Sequence, residues 1–427
     1  MEVKKGYKQT EVVVIPEDWE VKTIGKLFSI SGGFSSSRDQ LSDEGFCYLH
    51  YGDIHKSNKT YINVEEEYPE IPKLKIDIKS ISPKSLLNDG DVVFVDASED
   101  DEGASKHVVI RNPQGIPYIS GLHTIVIKSN DDSVVNLYKQ FCFQTSNVKK
   151  QFKFYAVGTK VTGISKTNIA NIQIALPPTK AEQTAIATSL SDTDTLINSL
   201  EKLIAKKRNI KRGVMQQLLT GKKRLPGFNG EWAVKRMGEV GFFSKGRGLS
   251  KDSINVSDGL PAIPYTAIYT DFSEVIDYSR IKHFTKSACE TIIINTPHLL
   301  IASSSNMLEN IGKATAFNNE FDVAVGGDII LYKTTANVCF LSYLLSTRPH
   351  RKRIVSLSQG STIRHVYAST FDNYEIAFPS LPEQTAIAQV ISDMDAEIKA
   401  LEQKLAKYRF TKQGMMQELL TGKKRLI

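Results

Sequence analysis

Glu182-Gln-Thr-Ala-Ile-Ala187, running on to Gln216-Gln-Leu-Leu-Thr-Gly-Lys-Lys-Arg-Leu225, is met a second time as Glu383-Gln-Thr-Ala-Ile-Ala388, running on to Gln417-Glu-Leu-Leu-Thr-Gly-Lys-Lys-Arg-Leu426. The offset is a constant 201 residues, and about 27 of 44 aligned positions are identical, far above what unrelated helices give. Weaker echoes extend outward. Trp19-Glu-Val-Lys-Thr-Ile-Gly25 matches Trp232-Ala-Val-Lys-Arg-Met-Gly238, and Ala175-Leu-Pro177 matches Ala377-Phe-Pro379 with one residue deleted before the second copy. The chain is two copies of one unit, each a large variable segment followed by a near-constant one.

The constant segments read as long helices. Ile186, Leu190, Ile197, Leu200 and Ile204 in the first, and Ile387, Ile391, Ile398, Leu401 and Leu405 in the second, fall on the three-four spacing of a narrow coiled-coil seam. Prolines open each helix, and Gly221 or Gly422 followed by Lys-Lys-Arg closes it, where a left-handed cap and cations are expected. Such a narrow stripe favours packing of the two helices against each other over packing of each on its own domain. A helix of about 38 residues makes a rod of roughly 57 Å.

The variable segments carry short β-rich runs at Val92–Val95, Thr124–Ile127, Ile292–Ile294, Leu299–Ile301 and Ile329–Leu331, with helical stretches near 134–155 and 338–357. The division expected is a mixed α/β domain over 1–176, a helical region over 177–225, a second domain over 226–379 and a second helical region over 380–427.

At 427 residues, with 41% hydrophobic and 24% charged residues and no apolar run long enough for a membrane span, the chain has ordinary soluble composition. Lysine-rich residues 1–9 lack the apolar core of an export signal. Cys47, Cys142, Cys289 and Cys339 are far apart, so neither a disulfide framework nor a zinc site is expected, and the setting expected is reducing and cytoplasmic. The net charge of +7 divides as −1 over 1–180, +5 over 181–225, +1 over 226–381 and +2 over 382–427, which disfavours a uniformly basic, non-specific nucleic-acid binder.

Catalytic chemistry is missing. Asn112-Pro113-Gln114-Gly115 lacks the second proline and the aromatic ring of an amino-methylating tetrad and reads as a turn. No GxxxxGK[ST] phosphate loop and no HExxH pair is present. The acidic run from Asp96 to Glu102 reads as a solvated loop, and no metal site is expected.

A binding signal is present twice. No acid lies between Asp132 and Glu182, a tract holding Lys149, Lys150, Lys153, Lys160 and Lys166 interleaved with Phe152, Phe154 and Tyr155. None lies between Asp328 and Asp372, which holds Arg348, Arg351, Lys352, Arg353 and Arg364. Two such tracts at matching places in a duplicated unit point to a surface facing phosphates. The loops Ser31-Gly32-Gly33-Phe34-Ser35-Ser36-Ser37-Arg38 and Ser244–Lys251, with Arg247, are further candidates, because small residues admit close backbone approach and an arginine can read guanine.

Gly6-Tyr-Lys-Gln-Thr10, Pro16-Glu-Asp-Trp19, the Leu176-Pro-Pro178 and EQTAIA succession and the terminal LLTGKKR together resemble the specificity subunit of type I restriction-modification systems. The resemblance spans nearly the whole chain. It implies two α+β target-recognition domains related by a pseudo-two-fold axis and separated by two long antiparallel coiled-coil helices acting as a spacer. It further implies a non-catalytic subunit that reads a bipartite, asymmetric site in double-stranded DNA. Two modification subunits, which bind S-adenosylmethionine and methylate adenine, and restriction subunits are its implied partners. No individual base contact carries over from the resemblance.

Overall fold

The computed structural model describes residues 4–55, 57, 59–98, 105–158, 162–255, 258–286 and 291–426. It divides into two compact units, residues 1–201 with 404–427, and residues 202–403. The units cut across the linear order of the sequence, so each long helix contributes one stretch to each unit.

In the first unit, a five-stranded sheet has the order Phe28–Gly32, Thr124–Ser129, Val92–Val95, His107–Arg111, Tyr61–Asn63, antiparallel except for the last pair. Val92 to Val95 are buried on both faces, which explains a continuous apolar run rather than an alternating one. A four-stranded sheet built on Phe46–Leu49 and the helices Asn136–Cys142 and Ser146–Tyr155 complete the domain. Glu20–Thr23 pairs with Gln173–Leu176, tying the start of the domain to the strand that precedes the long helix.

The second unit repeats this frame. Gly241–Lys245, Ile329–Thr334, His298–Ala302 and Ala314–Phe317 form an antiparallel sheet, backed by Val338–Ser346 and Arg348–Leu357. Ala233–Arg236 pairs with Glu375–Phe378, as its counterpart does in the first unit. The strand and helix positions expected from the sequence are those observed.

The long helices are Lys180–Leu218 and Leu381–Leu419. Within the first unit, Arg409 pairs with Glu201 and Lys412 with Asp194; within the second, Arg208 pairs with Glu402 and Lys211 with Asp395. In each unit the residue number rises on one helix as it falls on the other, so the stretches run antiparallel. The second set of ion pairs is the first shifted by the repeat offset. Ile197, Leu200, Ile204, Ile398 and Leu405 are buried and Leu401 is half-buried, in keeping with a seam.

The opening turns behave differently from a pure seam. Ile186 and Leu190 lie in the core of the first domain, where Leu419 and Leu420 of the other repeat join them. Ile387 and Ile391 lie in the second domain's core with Leu218 and Leu219. Each helix therefore packs on its own domain at its start and against the other helix further along.

The repeated words of the sequence have distinct structural tasks. Gln183 accepts from Val135 N (2.9 Å) and donates to Pro177 O (3.2 Å), while Gln384 accepts from Asn337 N (2.9 Å) and donates to Pro379 O (2.9 Å). Both bonds satisfy backbone groups left over at element ends. Glu182 and Glu383 are each only 1% exposed, and each receives an arginine from the other repeat's tail, Arg425 and Arg224 respectively. Gly221 and Gly422 adopt φ of +68° and +69°, letting the tail turn back against Trp232 and against Pro16 and Trp19.

Candidate nucleic-acid interface

In the first unit, the glycine-serine loop leaves the edge strand Phe28–Gly32 and folds against the segment that enters the central strand Thr124–Ser129. Gly33 N donates to Thr124 O, and a Cβ on Gly33 would lie 1.7 Å from the Gly121 carbonyl oxygen. Gly33 is thus required by backbone crowding within the domain. The Lys166 ammonium lies where a Gly32 side chain would begin, so Lys166 joins this loop. Ser35 is exposed, and Arg38 donates to Asp53 Oδ1 at 2.9 Å.

The turn between Gly121 and the central strand carries His123 at φ +56°, a left-handed conformation uncommon outside glycine. Its carbonyl accepts from Asp96 N, and its Nδ1 lies 3.2 Å from Asp96 Oδ1. The ring stands edge-on to Tyr51 at 5.4 Å, with its side chain 49% exposed. Asp96 also ends the two-stranded ribbon of Ala97–Ser98 with Thr162–Gly163 through Ile164 N.

The second unit builds the same corner from other residues. Gly246 N donates to Ile329 O, and a Cβ on Gly246 would lie 2.1 Å from the Gly326 carbonyl oxygen. Asp328 occupies the position of His123, at φ +59°. Its carbonyl accepts from Ser303 N, next to the ribbon of Ser304–Ser305 with Arg364–His365. Lys245 Nζ lies 4.0 Å from the Asp328 carboxylate, and exposed Arg247 sits in the adjacent loop, held by its own N–H on Val325 O. Burial, then Tyr265 and the Asp328 charge, push the nearby Tyr269 phenol up from its ordinary pKa.

The basic tracts separate into two groups. Lys149, Lys150 and Lys153 are exposed on Ser146–Tyr155, and Arg348 and Lys352 are exposed on Arg348–Leu357. Arg351 instead donates to Glu309 O and Ile311 O, and burial lowers its guanidinium pKa. Arg364 donates to Ser358 Oγ and Ser358 O, and Arg353 lies over the Tyr374 ring at 4.3 Å. Arg351 and Arg364 are half-buried and brace neighbouring backbone, unlike the exposed lysines of the same tracts. Lys160, Cys289 and the acidic residues 99–102 lie outside the described residues.

Asn112 is 4% exposed, and its side chain closes a turn by donating to Ile116 O and accepting from Ile116 N, as a structural turn requires. Among the described residues no cluster of three or more His, Cys, Asp or Glu could hold a metal ion, and no helix is long and apolar enough to cross a membrane. Cys47, Cys142 and Cys339 are free thiols pushed up in pKa by burial. The sequence reading missed His123, Asp328, Tyr51 and Tyr269. Its available signal was Gly121 and Gly326-Gly327, each within three residues of the start of an equivalent strand.

The family model described as "Type I restriction modification DNA specificity domain" matches residues 16–212 and again 229–407. Two Methanocaldococcus jannaschii proteins, a putative type I restriction enzyme MjaX specificity subunit and the type I restriction enzyme MjaVIII specificity subunit, are each 22% identical to the chain, with 99% of this chain and 97% of each relative covered. The solved S subunit of a type I restriction-modification system from M. genitalium shares the fold at a TM-score of 0.58 and 14% identity, covering 96% of this chain and 97% of that one. A chain from a structural study of type I complex assembly and conformational transition matches at a TM-score of 0.56 and 16% identity, covering 96% of this chain and 99% of its own. With a doubled frame, a doubled helix segment and both halves matched, the chain belongs to the type I restriction-modification DNA specificity family.

Proposed function

We propose that this chain is the DNA-reading subunit of a type I restriction-modification complex, each domain recognising one half of a bipartite, asymmetric site in double-stranded DNA. The carrying observation is that one backbone frame is built twice while the side chains at its exposed corner and loop differ. A shared frame suits shared partner subunits, and unlike corners suit unlike half-sites. Lys149, Lys150, Lys153, Lys166, Arg247, Arg348 and Lys352 supply phosphate contacts that position the domains, and base edges are read from the loops.

The chain contributes no bond-breaking step. Two modification subunits, which bind S-adenosylmethionine, methylate adenine at the chosen site, and restriction subunits add cleavage. Methylome sequencing of cells expressing the chain with its modification subunit tests this reading. Adenine methylation at a two-part motif, absent when either subunit is omitted, is the expected result. Methylation by the purified chain alone, or a motif unaffected by omitting it, overturns it.

A further inference from the structure

The corner ahead of the central strand is the place where the two units keep one geometry and change its chemistry. His123 and Asp328 share φ near +57°, both side chains are about half exposed, and each carbonyl accepts from the residue that opens the neighbouring ribbon, Asp96 or Ser303. Glycine is the cheap residue for this conformation, yet neither position holds one: Gly121 and Leu122 lead into His123, and Gly326 and Gly327 into Asp328. His and Asp are among the few other residues that tolerate it, at a cost of order 1 kcal/mol. Neither side chain is buried in return. A device retained in strained backbone, projecting and unlike between two copies, fits recognition better than packing.

We infer that His123 and Asp328 are specificity-determining residues, each reading one base pair of its own half-site. The inference rests on the DNA-recognition reading above. Asp328 is an acceptor flanked by Lys245 and the loop carrying Arg247, cations suited to neighbouring phosphates. A carboxylate selects a base that presents an exocyclic amine in the major groove, cytosine or adenine, and rejects guanine and thymine, which present carbonyl oxygens there. At His123, Nδ1 faces Asp96 Oδ1 at 3.2 Å, which leaves Nε2 on the half-exposed ring as the nitrogen to meet the base edge. Tyr51 limits the ring's swing from the side.

The test is selection from a randomised duplex library by the chain assembled with its modification subunits, comparing wild type with Asp328→Asn and His123→Gly. Asn tolerates the left-handed corner as Asp does and replaces one carboxylate oxygen with an amide NH2 donor, so Asp328→Asn changes the hydrogen-bonding chemistry without adding backbone strain. The expected outcome is a change at one position of one half-site for each variant. Asp328→Asn admits guanine or thymine where an amine-bearing base was required, and His123→Gly makes one position of the other half-site degenerate. Discrimination at that position falls roughly tenfold. Unchanged motifs in both variants, with thermal stability raised in His123→Gly, show a purely structural corner and overturn the inference while leaving the DNA-reading proposal intact. A wild-type complex that selects no sequence overturns both.

Discussion

The same tail motif closes both units, and it closes them with different strength. Around Gly422, Arg425 donates to Glu182 and to both oxygens of Asp18 (3.0 and 3.1 Å), Trp19 is fully buried, and the Tyr7 hydroxyl donates to Gly422 O at 3.1 Å. Around Gly221, Arg224 donates to Glu383 and to Gly230 O, and Trp232 is only half-buried. The Arg425 guanidinium holds the Asp18 carboxyl below its usual range. The chain separations account for the contrast. Bringing Gly422 to Trp19 closes about 400 residues from the unfolded chain, against about ten for Gly221 and Trp232, a difference of roughly 3 kcal/mol. The closure with the larger entropic cost carries the additional anchors.

The largest expected effect probes this contrast directly. Arg425→Ala leaves the Glu182 carboxylate buried without its cation and is expected to cost about 3 kcal/mol, as breaking a buried pair does. Arg224→Ala strands Glu383 in the same way, so equal losses in urea melts attribute the stability to the shared carboxylate pair. A larger loss for Arg425→Ala assigns the remainder to Asp18.

Acid offers the next comparison. His107 is buried in the first domain and His350 half-buried in the second, and desolvation lowers each to about 4, with Lys149 and Arg353 adding to the shift. The unfolded histidine takes up a proton near pH 6.5 while the folded one does not. Stability is therefore complete above about 6.5 and declines as pH falls toward 4, by up to about 3 kcal/mol per group. His107→Phe, placed between the Phe94 and Phe143 rings, is expected to flatten one limb of this decline. An unchanged pH profile of the melting temperature removes His107 as its source.

A smaller effect separates the basic residues. Arg351→Ala removes the brace under Glu309 and Ile311 and is expected to cost about 2 kcal/mol. Lys352→Ala, next to it, is expected to leave the melting temperature unchanged and to reduce the salt dependence of DNA binding by about one unit of slope. The reverse pattern exchanges their roles.

The repeat, the helices and the main strands were legible because they rest on periodicity and identity, which sequence carries directly. The direction of Arg351 and Arg364 was not, because a run of cations in sequence does not say which guanidinium finds a carbonyl at a helix edge. The opening turns of the long helices were only partly legible. Ile186 and Leu190 satisfy a seam pattern and a domain core equally well, and the choice is made by strands far away in the chain. Gly33 suggested close backbone approach to a ligand, whereas its missing side chain makes room for the Gly121 carbonyl. The corner residues were hidden because a dihedral angle leaves no composition signature.

The left-handed φ at residues 123 and 328 also restricts how the protein can diversify. Glycine, asparagine, aspartate and histidine occupy that region at modest cost, and β-branched or bulky residues are genuine outliers there. Each corner therefore has a vocabulary of about four side chains, one of them silent. Drift at these two positions moves in discrete steps among a few chemistries, and larger changes of preference have to come from loop positions with ordinary dihedral angles, such as Ser35, Arg38 and Arg247.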